Sequence, residues 1–181
     1  MAKQQEKHNK IREIEIKPFG KYHQPTVAKK GSIGFDLAIP EDFRVPAKSR
    51  VIIPLNFALN LPKGIEAKIE PRSGFSLKGI EGYGQRTKIE KKWGFIPIKK
   101  IESGKLRFNA DVLVGKIDPN YTDNIHVIIK NDDVEFLIKA GTRIAQLTFY
   151  STISPYFKEV SVLSCKSRGG GFGSSGNNIE K

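Results

Sequence analysis

The sequence predicts an all-β fold, either a sandwich or a jelly-roll-like barrel with Greek-key connections. Three observations predict it. From about residue 33 onward, short stretches rich in Val, Ile and Phe alternate apolar with polar residues. Pro, Gly, Asn and Asp, which are typical of turns, separate these stretches. Nowhere do apolar residues recur at helical spacing over a convincing length.

Strands are expected in order along the chain. The polar, lysine-rich segment 1–20 includes IREIEIKPFG, whose alternation predicts an edge strand. Further strands are expected in SRVIIPLNFALNLPKG, GIEAKIEPRSG, NIHVIIKNDDVEFLIKAG and RIAQLTFYSTISPYF. Val134, Phe136 and Ile138 fall on one face of a strand, and an Ala-Gly pair ends it. We therefore expect one β domain over residues 21–163.

Two segments interrupt the β pattern. Residues 78–107 contain the only Trp, several Gly and much of the charge, and they predict a long hairpin or an excursion out of the barrel. Residues 164–181, SCKSRGGGFGSSGNNIEK, are too rich in Gly, Ser and Asn to pack by themselves. They predict a mobile C-terminal arm that a ligand would order.

The charge is concentrated in the N-terminal segment and in residues 78–107. The 181 residues include 31 Lys and Arg against 19 Asp and Glu, a net charge of +12. Residues 1–30 carry a net charge of +5 and residues 78–107 a net charge of +6, so the rest of the chain is close to neutral. Basic clusters favour nucleic-acid binding, but a solvated tail and a solvated loop explain them equally well.

Composition excludes several classes of protein. With 38% hydrophobic and 28% charged residues, the chain can form a packed core. Cys165 is the only cysteine, so a disulfide scaffold is excluded. No membrane-spanning run or signal peptide is found, and we expect a soluble cytoplasmic protein without a membrane partner. His8, His23 and His126 form no zinc or Cys-His motif.

Three stretches of the β region carry candidate chemistry. Residues 71–74, Pro-Arg-Ser-Gly, suit a phosphate or form an ordinary turn. Residues 115–121 place a carboxylate, Asp118, three residues before an aromatic ring, Tyr121, although Asp and Asn are also common turn residues. Gln146 is polar in a strand that should be largely buried, so it either stabilises a turn or faces a site.

A fourth stretch, RGGGFGSSG at residues 168–176, is rich in glycine. It lacks the Gly-Lys-Ser/Thr ending of a P-loop. A disordered tail, a glycine-arginine RNA-binding segment, a flexible linker and a lid over a phosphorylated ligand all remain open. Phe172 favours the lid, because a ring between glycine hinges can close onto a planar base.

Taken in order, these stretches resemble the five motifs of the trimeric dUTPase (dUTP diphosphatase) family. The first motif resembles Gly31–Ala38, GSIGFDLA, and the second Pro71–Gly74, PRSG. The third is similar to Asp111–Tyr121, DVLVGKIDPNY, the fourth to Gly141–Leu147, GTRIAQL, and the fifth to Arg168–Gly176. Each motif is weak alone, but five in the right order, spread over residues 31–176, are hard to obtain by chance. The resemblance covers nearly the whole chain apart from the N-terminal tail and residues 78–107.

The resemblance implies a jelly-roll-like subunit and a homotrimer whose three active sites are each built from all three chains. It also implies hydrolysis of dUTP to dUMP and pyrophosphate, which limits uracil incorporation into DNA and supplies dUMP. Mg²⁺ would be held mainly by the substrate phosphates and water, with no direct protein ligand.

Residue roles follow from the resemblance motif by motif. Asp118 would orient and deprotonate the water that attacks the α-phosphorus, and Tyr121 would pack under the deoxyribose. The uracil edge would be read by backbone groups of Val112, Leu113, Val114 and Gly115.

The resemblance assigns the binding of the phosphates to residues of the other motifs. Arg72, Ser73, Gly74 and Gln146 would hold them, and Asp36 would support this region and the metal. The fifth motif would supply Arg168 on the terminal phosphate, Phe172 stacked on the base, and Gly173 and Ser174 as further substrate-binding residues.

The chain departs from the family pattern in three places. Three residues separate Arg168 from Phe172, where the family usually has four. In the third motif Asn120 replaces a common Asp, and Thr-Asp follows the tyrosine in place of Arg-Gly. Residues 75–110 form a 36-residue connection where typical members have under ten, so residues 78–107 are interpreted as an insertion beside the active site, carrying Trp93.

Two other functions remain open. A regulatory or binding protein on a dUTPase scaffold would use the basic insertion, whose KKWGFIPIKK is a candidate contact for a protein or a nucleic acid. A dCTP deaminase shares the fold, but its signature glutamate base has no counterpart in the third motif. The sequence therefore favours a dUTPase.

Overall fold

A computed structural model describes residues 13–165 of the chain. The strands are β1 (Glu15–Pro18), β2 (Thr26–Val27), β3 (Phe35–Ala38), β4 (Phe43–Val45), β5 (Arg50–Pro54), β6 (Phe57–Asn60), β7 (Ile65–Pro71), β8 (Ile80–Lys92), β9 (Ile96–Phe108), β10 (Ala110–Leu113), β11 (Gly115–Ile117), β12 (His126–Asn131), β13 (Phe136–Ile138) and β14 (Arg143–Ser151). A helix, α1 (Ser73–Lys78), lies between β7 and β8. In this part of the chain no helix has the length and hydrophobicity that a bilayer crossing needs.

The strands form four antiparallel sheets. Their orders are β1-β6, β10-β12-β5, β11-β7-β14-β3-β2 and β4-β13-β8-β9. Many neighbours are distant in sequence, as where β14 lies between β3 and β7, so the chain repeatedly crosses from one sheet to another. The predicted all-β, jelly-roll-like fold is confirmed, and the edge strand predicted near the N-terminus is β1, paired with β6.

Alternation along the strands builds the core. In β7 the side chains of Ile65, Ala67 and Ile69 are buried, while the charged residues between them are partly exposed. Because neighbouring residues point to opposite faces, such a strand covers the core with one face and meets solvent with the other. Each fully buried aliphatic side chain contributes roughly 1.5–3 kcal/mol. Phe136 and Ile138 lie on one face of β13, as predicted, and this face is buried. The prediction was wrong for Val134, which lies in the turn before β13 and is exposed.

The helix α1 was not predicted, because its six residues are too few for helical periodicity to show. It begins directly after Arg72 and ends at Gly79, whose φ is 74°. A Cβ at Gly79 would lie 2.1 Å from the carbonyl oxygen of Phe108. Only glycine satisfies both the left-handed backbone and this close approach, so Gly79 sets how the chain leaves the helix.

The long hairpin predicted for residues 78–107 is confirmed as β8 and β9, which pair from Ile80 with Phe108 to Lys92 with Ile96. At its base Phe108 stacks on Phe136, with ring centroids 4.4 Å apart. The turn includes Trp93 and Gly94, both at positive φ. The base therefore belongs to the core.

After β14 the chain runs from residue 152 to 165 without helix or strand. Its large apolar side chains are exposed: Ile153, Tyr156, Phe157, Val160, Val162 and Leu163. The fifth-motif residues Arg168, Phe172, Gly173 and Ser174 lie outside the described residues, so the predicted roles of this motif stay predictions.

Candidate active site

Three sequence motifs that are far apart in the chain meet in one pocket. In the five-stranded sheet, Gln146 of β14 is the register partner of Asp36 on one side and of Glu70 on the other. The pocket, which we call the arginine pocket, has a volume of about 290 Å³. It is lined by Ala28, Asp36, Arg72, Ser73, Gly74, Phe75, Arg107 and Gln146. The structure thus brings together the residues that were predicted from the first, second and fourth motifs.

A buried carboxylate, Asp36, holds two arginines: Arg72, which lines the arginine pocket, and Arg143, which begins β14 and does not line the pocket. Asp36 is 6% exposed, and its Oδ2 accepts hydrogen bonds from Arg143 Nη1 at 2.9 Å and from Arg72 Nη2 at 3.5 Å. Arg72 Nε lies 2.9 Å from the other oxygen, Oδ1, in an ion pair. Arg72 Nη1 also donates to the carbonyl oxygen of Arg143, at 3.2 Å. A buried carboxylate must be paired, and charge-assisted bonds of this kind fix both guanidinium groups in position.

Arg143 was not among the predicted site residues. It belongs to the fourth motif and begins β14, and its side chain is about half exposed. The only sequence feature that could have indicated a role for Arg143 in the site is its position in the same motif as Gln146. The pairing with Asp36 could not be read from that signal, because it depends on the alignment of β14 with β3.

A glycine of the first motif makes room for Gln146. A Cβ on Gly34 would lie 3.0 Å from Gln146 Oε1. That is closer than side chains normally pack, so a larger residue would displace the amide. Gln146 itself is half-buried between Ala145 and Leu147, which are fully buried.

Two residues that do line the arginine pocket, Phe75 and Arg107, were also missed. Phe75 is buried directly after the second motif, and the guanidinium carbon of Arg72 lies 5.6 Å from its ring centroid. The guanidinium carbon of Arg107 lies 6.0 Å from the same ring. Phe75 follows Arg-Ser-Gly in the sequence, whereas Arg107 reaches the pocket only because the hairpin returns to its base.

The third motif lines a second, separate pocket of about 280 Å³, which we call the tyrosine pocket. Its walls are Ile52, Ile69, Gly115, Lys116, Ile117, Tyr121, Ile125, His126 and Ile128. The Tyr121 N–H donates to the Asp118 carbonyl oxygen and the Tyr121 hydroxyl to the Asn124 carbonyl oxygen, both at 3.0 Å. These bonds form the turn on which the exposed Asp118 carboxylate lies.

The backbone of the third motif divides between two sheets. Val112 and Leu113 belong to β10, an edge strand of the three-stranded sheet, and Gly115 begins β11, an edge strand of the five-stranded sheet. Val114, between them, is exposed. Within residues 13–165, β10 and β11 are each paired along one edge only. Their other edges therefore present backbone N–H and C=O groups.

An ion pair holds the third motif against the neighbouring strand β7. The Lys116 ammonium lies 2.7 Å from Glu66 Oε2 on the neighbouring strand β7. The hydrogen bond and the opposite charge raise the pKa of Lys116 and lower the pKa of Glu66. Both groups therefore stay charged at neutral pH.

The carboxylates of the site do not form a metal cage. Across residues 13–165, no three His, Cys, Asp or Glu side chains lie close enough to hold a metal ion together. Asp36 lines the arginine pocket, but two arginines occupy its oxygens. The donors of the pocket are instead guanidinium, hydroxyl and amide groups, which fit phosphate oxygens.

A model of the dUTPase family matches residues 21–93 and 102–176. The chain belongs to the dUTPase family. Residues 94–101, between the matched ranges, form part of the turn end of the hairpin.

Individual dUTPases are similar over most of their length. A deoxyuridine 5′-triphosphate nucleotidohydrolase of Cowpox virus is 32% identical over 163 residues, which cover 89% of this chain and 90% of the relative. The dUTPase of Staphylococcus bacteriophage 80alpha with dUpNHpp has a TM-score of 0.71 at 21% identity, covering 92% and 99% of the two chains. A mutant dUTPase of phage phi11 of S. aureus, whose structure shows a structural Mg(II) ion, has a TM-score of 0.65 at 17% identity, covering 85% and 100%.

Proposed function

We propose that the chain hydrolyses dUTP to dUMP and pyrophosphate, with the triphosphate in the arginine pocket and the nucleoside at the third motif. The observation that carries this function is the convergence of three family motifs on one cationic pocket. The relatives named as dUTP nucleotidohydrolases support it. Their names favour hydrolysis of dUTP over deamination of dCTP.

In the arginine pocket, hydrogen-bond donors that are already in position would bind the phosphates. Arg72 and Arg143 are held by Asp36, so their remaining N–H groups are oriented before substrate arrives. Ser73 and Gln146 add a hydroxyl and an amide donor beside them. Phosphoryl-transfer enzymes act mainly by such positioning and charge neutralisation.

In the third motif, Asp118 is the proposed general base. Its exposed carboxylate lies on the turn beside Tyr121, where it can accept a proton from the water that attacks the α-phosphorus. The Tyr121 ring would pack under the deoxyribose and leave no space for a 2′-hydroxyl.

The uracil ring would be read by backbone groups from Val112 to Gly115. The edges of β10 and β11 that pair with no strand within residues 13–165 supply both donors and acceptors, as the edge of a uracil requires. A close-fitting backbone surface rejects the thymine methyl group by sterics and the cytosine amino group by unmatched hydrogen bonds.

Mg²⁺ fits this donor set as an ion carried by the substrate. The pocket offers cations and neutral donors to the phosphates, so the metal would be held by phosphate oxygens and water, with Asp36 as the nearest supporting carboxylate. When bound, Mg²⁺ neutralises phosphate charge and fixes the conformation of the triphosphate.

We also propose that the enzyme is a homotrimer. Among residues 13–165 of one chain the arginine and tyrosine pockets have no lining residue in common. The family resemblance assigns each active site to all three chains, so we place the two pockets around one dUTP on different subunits. The apolar side chains of residues 152–165 are exposed, and Phe157 is 97% exposed. A segment of this composition is stabilised when a neighbouring subunit covers it.

Substitution of the proposed base tests the function. Asp118→Asn keeps the size of the side chain but removes the proton acceptor, so pyrophosphate release from dUTP should fall by about 10²–10⁴-fold. Binding of a non-hydrolysable dUTP analogue, measured by calorimetry, should persist. Asp123→Asn, which alters an exposed carboxylate of the same loop, is the control and should retain turnover. Unchanged turnover in Asp118→Asn would contradict the assignment.

A second candidate function belongs to the outer half of the hairpin, residues 87–101, which we call the ribbon. Its side chains include five lysines against one glutamate, a net charge of +4. Trp93 and Phe95 at its turn are 74% and 73% exposed. Exposed rings beside lysines suit single-stranded nucleic acid, because bases stack on the rings while the lysines neutralise phosphates.

This second function is tested with a labelled oligothymidine. Anisotropy titrations of the full chain should show affinity that falls as salt rises, and Trp93→Ala should weaken it while Trp93→Phe retains most of it. A variant without the ribbon should not bind. Absence of binding by the full chain at low salt would remove nucleic acid as the partner.

A further inference from the structure

We propose that Arg107, a residue of the hairpin, binds the pyrophosphate end of dUTP, so that the hairpin contributes directly to substrate affinity. The proposal deepens the proposed dUTP hydrolysis and rests on it. None of the five motifs includes Arg107, and it lies in the segment that the sequence interpretation assigned to an insertion.

Arg107 lies on the same pocket wall as the second motif. It lines the arginine pocket together with Arg72, Ser73 and Gly74. Its guanidinium carbon is 6.0 Å from the ring centroid of Phe75, and that of Arg72 is 5.6 Å from the same centroid. Both guanidinium groups therefore lie beside the same buried ring and line the same pocket.

Contacts at the base of the hairpin orient the side chain. Arg107 Nη1 donates to the Gly79 carbonyl oxygen at 3.1 Å, and Nη2 lies 3.6 Å from Glu81 Oε2. The Gly79 N–H in turn donates to the Phe75 carbonyl oxygen at 2.8 Å. A guanidinium carries five N–H donors, so these two contacts fix its plane and leave donors for a ligand.

The charge of the pocket also favours an anion at this position. Asp36 is shared by two arginines, and Glu81, the partner of Arg107, also accepts from Lys105 at 2.7 Å. Cations therefore outnumber carboxylates around Arg107. Its side chain is 43% exposed, so it meets an incoming ligand without first losing a buried ion pair.

The position in the pocket indicates which part of dUTP is bound. Asp118 and Tyr121 belong to the third motif, where the nucleoside and the α-phosphorus are proposed to lie. Neither lines the arginine pocket. The arginine pocket is therefore left for the phosphates beyond the α-phosphate, and Arg107 is assigned to these.

The test is Arg107→Gln, analysed by steady-state kinetics and by calorimetry with a non-hydrolysable dUTP analogue. We expect KM for dUTP and Kd for the analogue to rise about tenfold, since one charge-assisted hydrogen bond is lost. The kcat value should change much less. Inhibition by pyrophosphate should weaken, whereas inhibition by dUMP, which lacks these phosphates, should not. Arg107→Lys keeps the charge and should recover part of the affinity.

Lys105→Gln is the matched control. Lys105 lies on the same strand and pairs with the same Glu81, but it does not line the pocket. Its substitution should leave KM and Kd unchanged. The proposal is overturned if Arg107→Gln binds the analogue like the unaltered chain, or if both substitutions weaken binding equally. If the unaltered chain does not hydrolyse dUTP, the proposed function fails, while the Kd values still test Arg107.

Discussion

At the scale of single residues, Asp36 links the fold to the proposed chemistry. It is buried in the sheet, and its carboxylate contacts two arginines from different elements. Without it, Arg72 and Arg143 would repel each other and lose their orientation. The same contact therefore stabilises the sheet and prepares the phosphate site.

Asp36→Asn should weaken both stability and substrate binding. The pair is partly exposed on the arginine side, so the free energy of unfolding should fall by about 1–2 kcal/mol, less than for a fully buried pair. KM for dUTP should rise at the same time. Urea denaturation and steady-state kinetics measure the two effects. Asp42→Asn, which removes an exposed ion pair with Lys139, should change neither appreciably. Equal losses in the two variants would contradict the role of Asp36.

The pair of Glu66 and Lys116 predicts how stability depends on pH. Hydrogen bonding from Lys116 lowers the pKa of Glu66 in the folded chain, so the unfolded chain binds more protons as the solution becomes acidic. The stabilisation is present above the unfolded pKa of about 4.3 and is lost as pH falls through the lower folded value.

Glu66→Gln should therefore flatten the decline of stability in acid. Urea midpoints measured between about pH 3 and 6 should converge for the variant and the unaltered chain at the acidic end. Glu41→Gln, an exposed glutamate outside the ion pairs of residues 13–165, is the control and should retain the original slope. A parallel decline in all three proteins would contradict the prediction.

At the scale of elements, the hairpin has a rigid base and an outer ribbon without core contacts. Gly82 and Gly84 in β8 pass so close to β13 that larger side chains do not fit. Beyond them, the residues pair with each other and are largely exposed. The packing of the base therefore fixes the position of Arg107. We expect that the ribbon can be removed without unfolding the rest of the chain.

Gly82→Ala tests the base of the hairpin. The new Cβ would lie 2.5 Å from Phe136 Cδ2 and 3.0 Å from the Leu137 carbonyl oxygen. Such overpacking should lower the free energy of unfolding by about 1–3 kcal/mol, measured by urea denaturation. Ser103→Ala, an exposed change on the paired strand, should have little effect. A Gly82→Ala variant as stable as Ser103→Ala would show that the base is not tightly packed.

Removal of the ribbon tests its separability. Replacing residues 88–100 by an Asn-Gly turn keeps the base of the hairpin and Arg107. The thermal midpoint should stay within a few degrees, and kcat/KM for dUTP should stay within about twofold, because the removed residues contact neither pocket. Loss of hydrolysis in a folded variant would show that the ribbon itself completes the site.

At the scale of the whole molecule, the proposed trimer would bring together pockets from different subunits. Within one chain they are separate, and residues 152–165 extend from β14 with exposed apolar side chains. A neighbouring subunit that covered this segment would gain the free energy of apolar burial, about 25 cal/mol for each Å². Assembly and activity should therefore be lost together.

Serine substitutions at Tyr156 and Phe157 test this link. The unaltered chain should sediment as the proposed trimer and the double variant at a lower mass, and dUTP hydrolysis by the double variant should fall in parallel. Ile89→Ser, which changes an exposed apolar residue of the ribbon, should affect neither property. A double variant that remains trimeric would contradict the proposed role of the segment.

Most of the fold and part of the candidate site could be predicted from the sequence. Strands such as β7 show their alternation directly, and the order of the motifs indicates the family. The helix α1 was not predicted because its six residues are too few to show the helical spacing of apolar residues. Arg143 and Arg107 escaped because their place in the site depends on pairing partners that are distant in the chain.

By itself the sequence determined where most of the strands lie, the family to which the chain belongs and the residue types that are proposed to meet the substrate. These are local properties of alternation, turn composition and motif order. Only the tertiary structure decided that Asp36 joins Arg72 to Arg143, that the hairpin returns Arg107 to the same pocket, and that the third motif lies apart from it. Such contacts depend on which strands become neighbours, and strand order is set by the packing of the whole core.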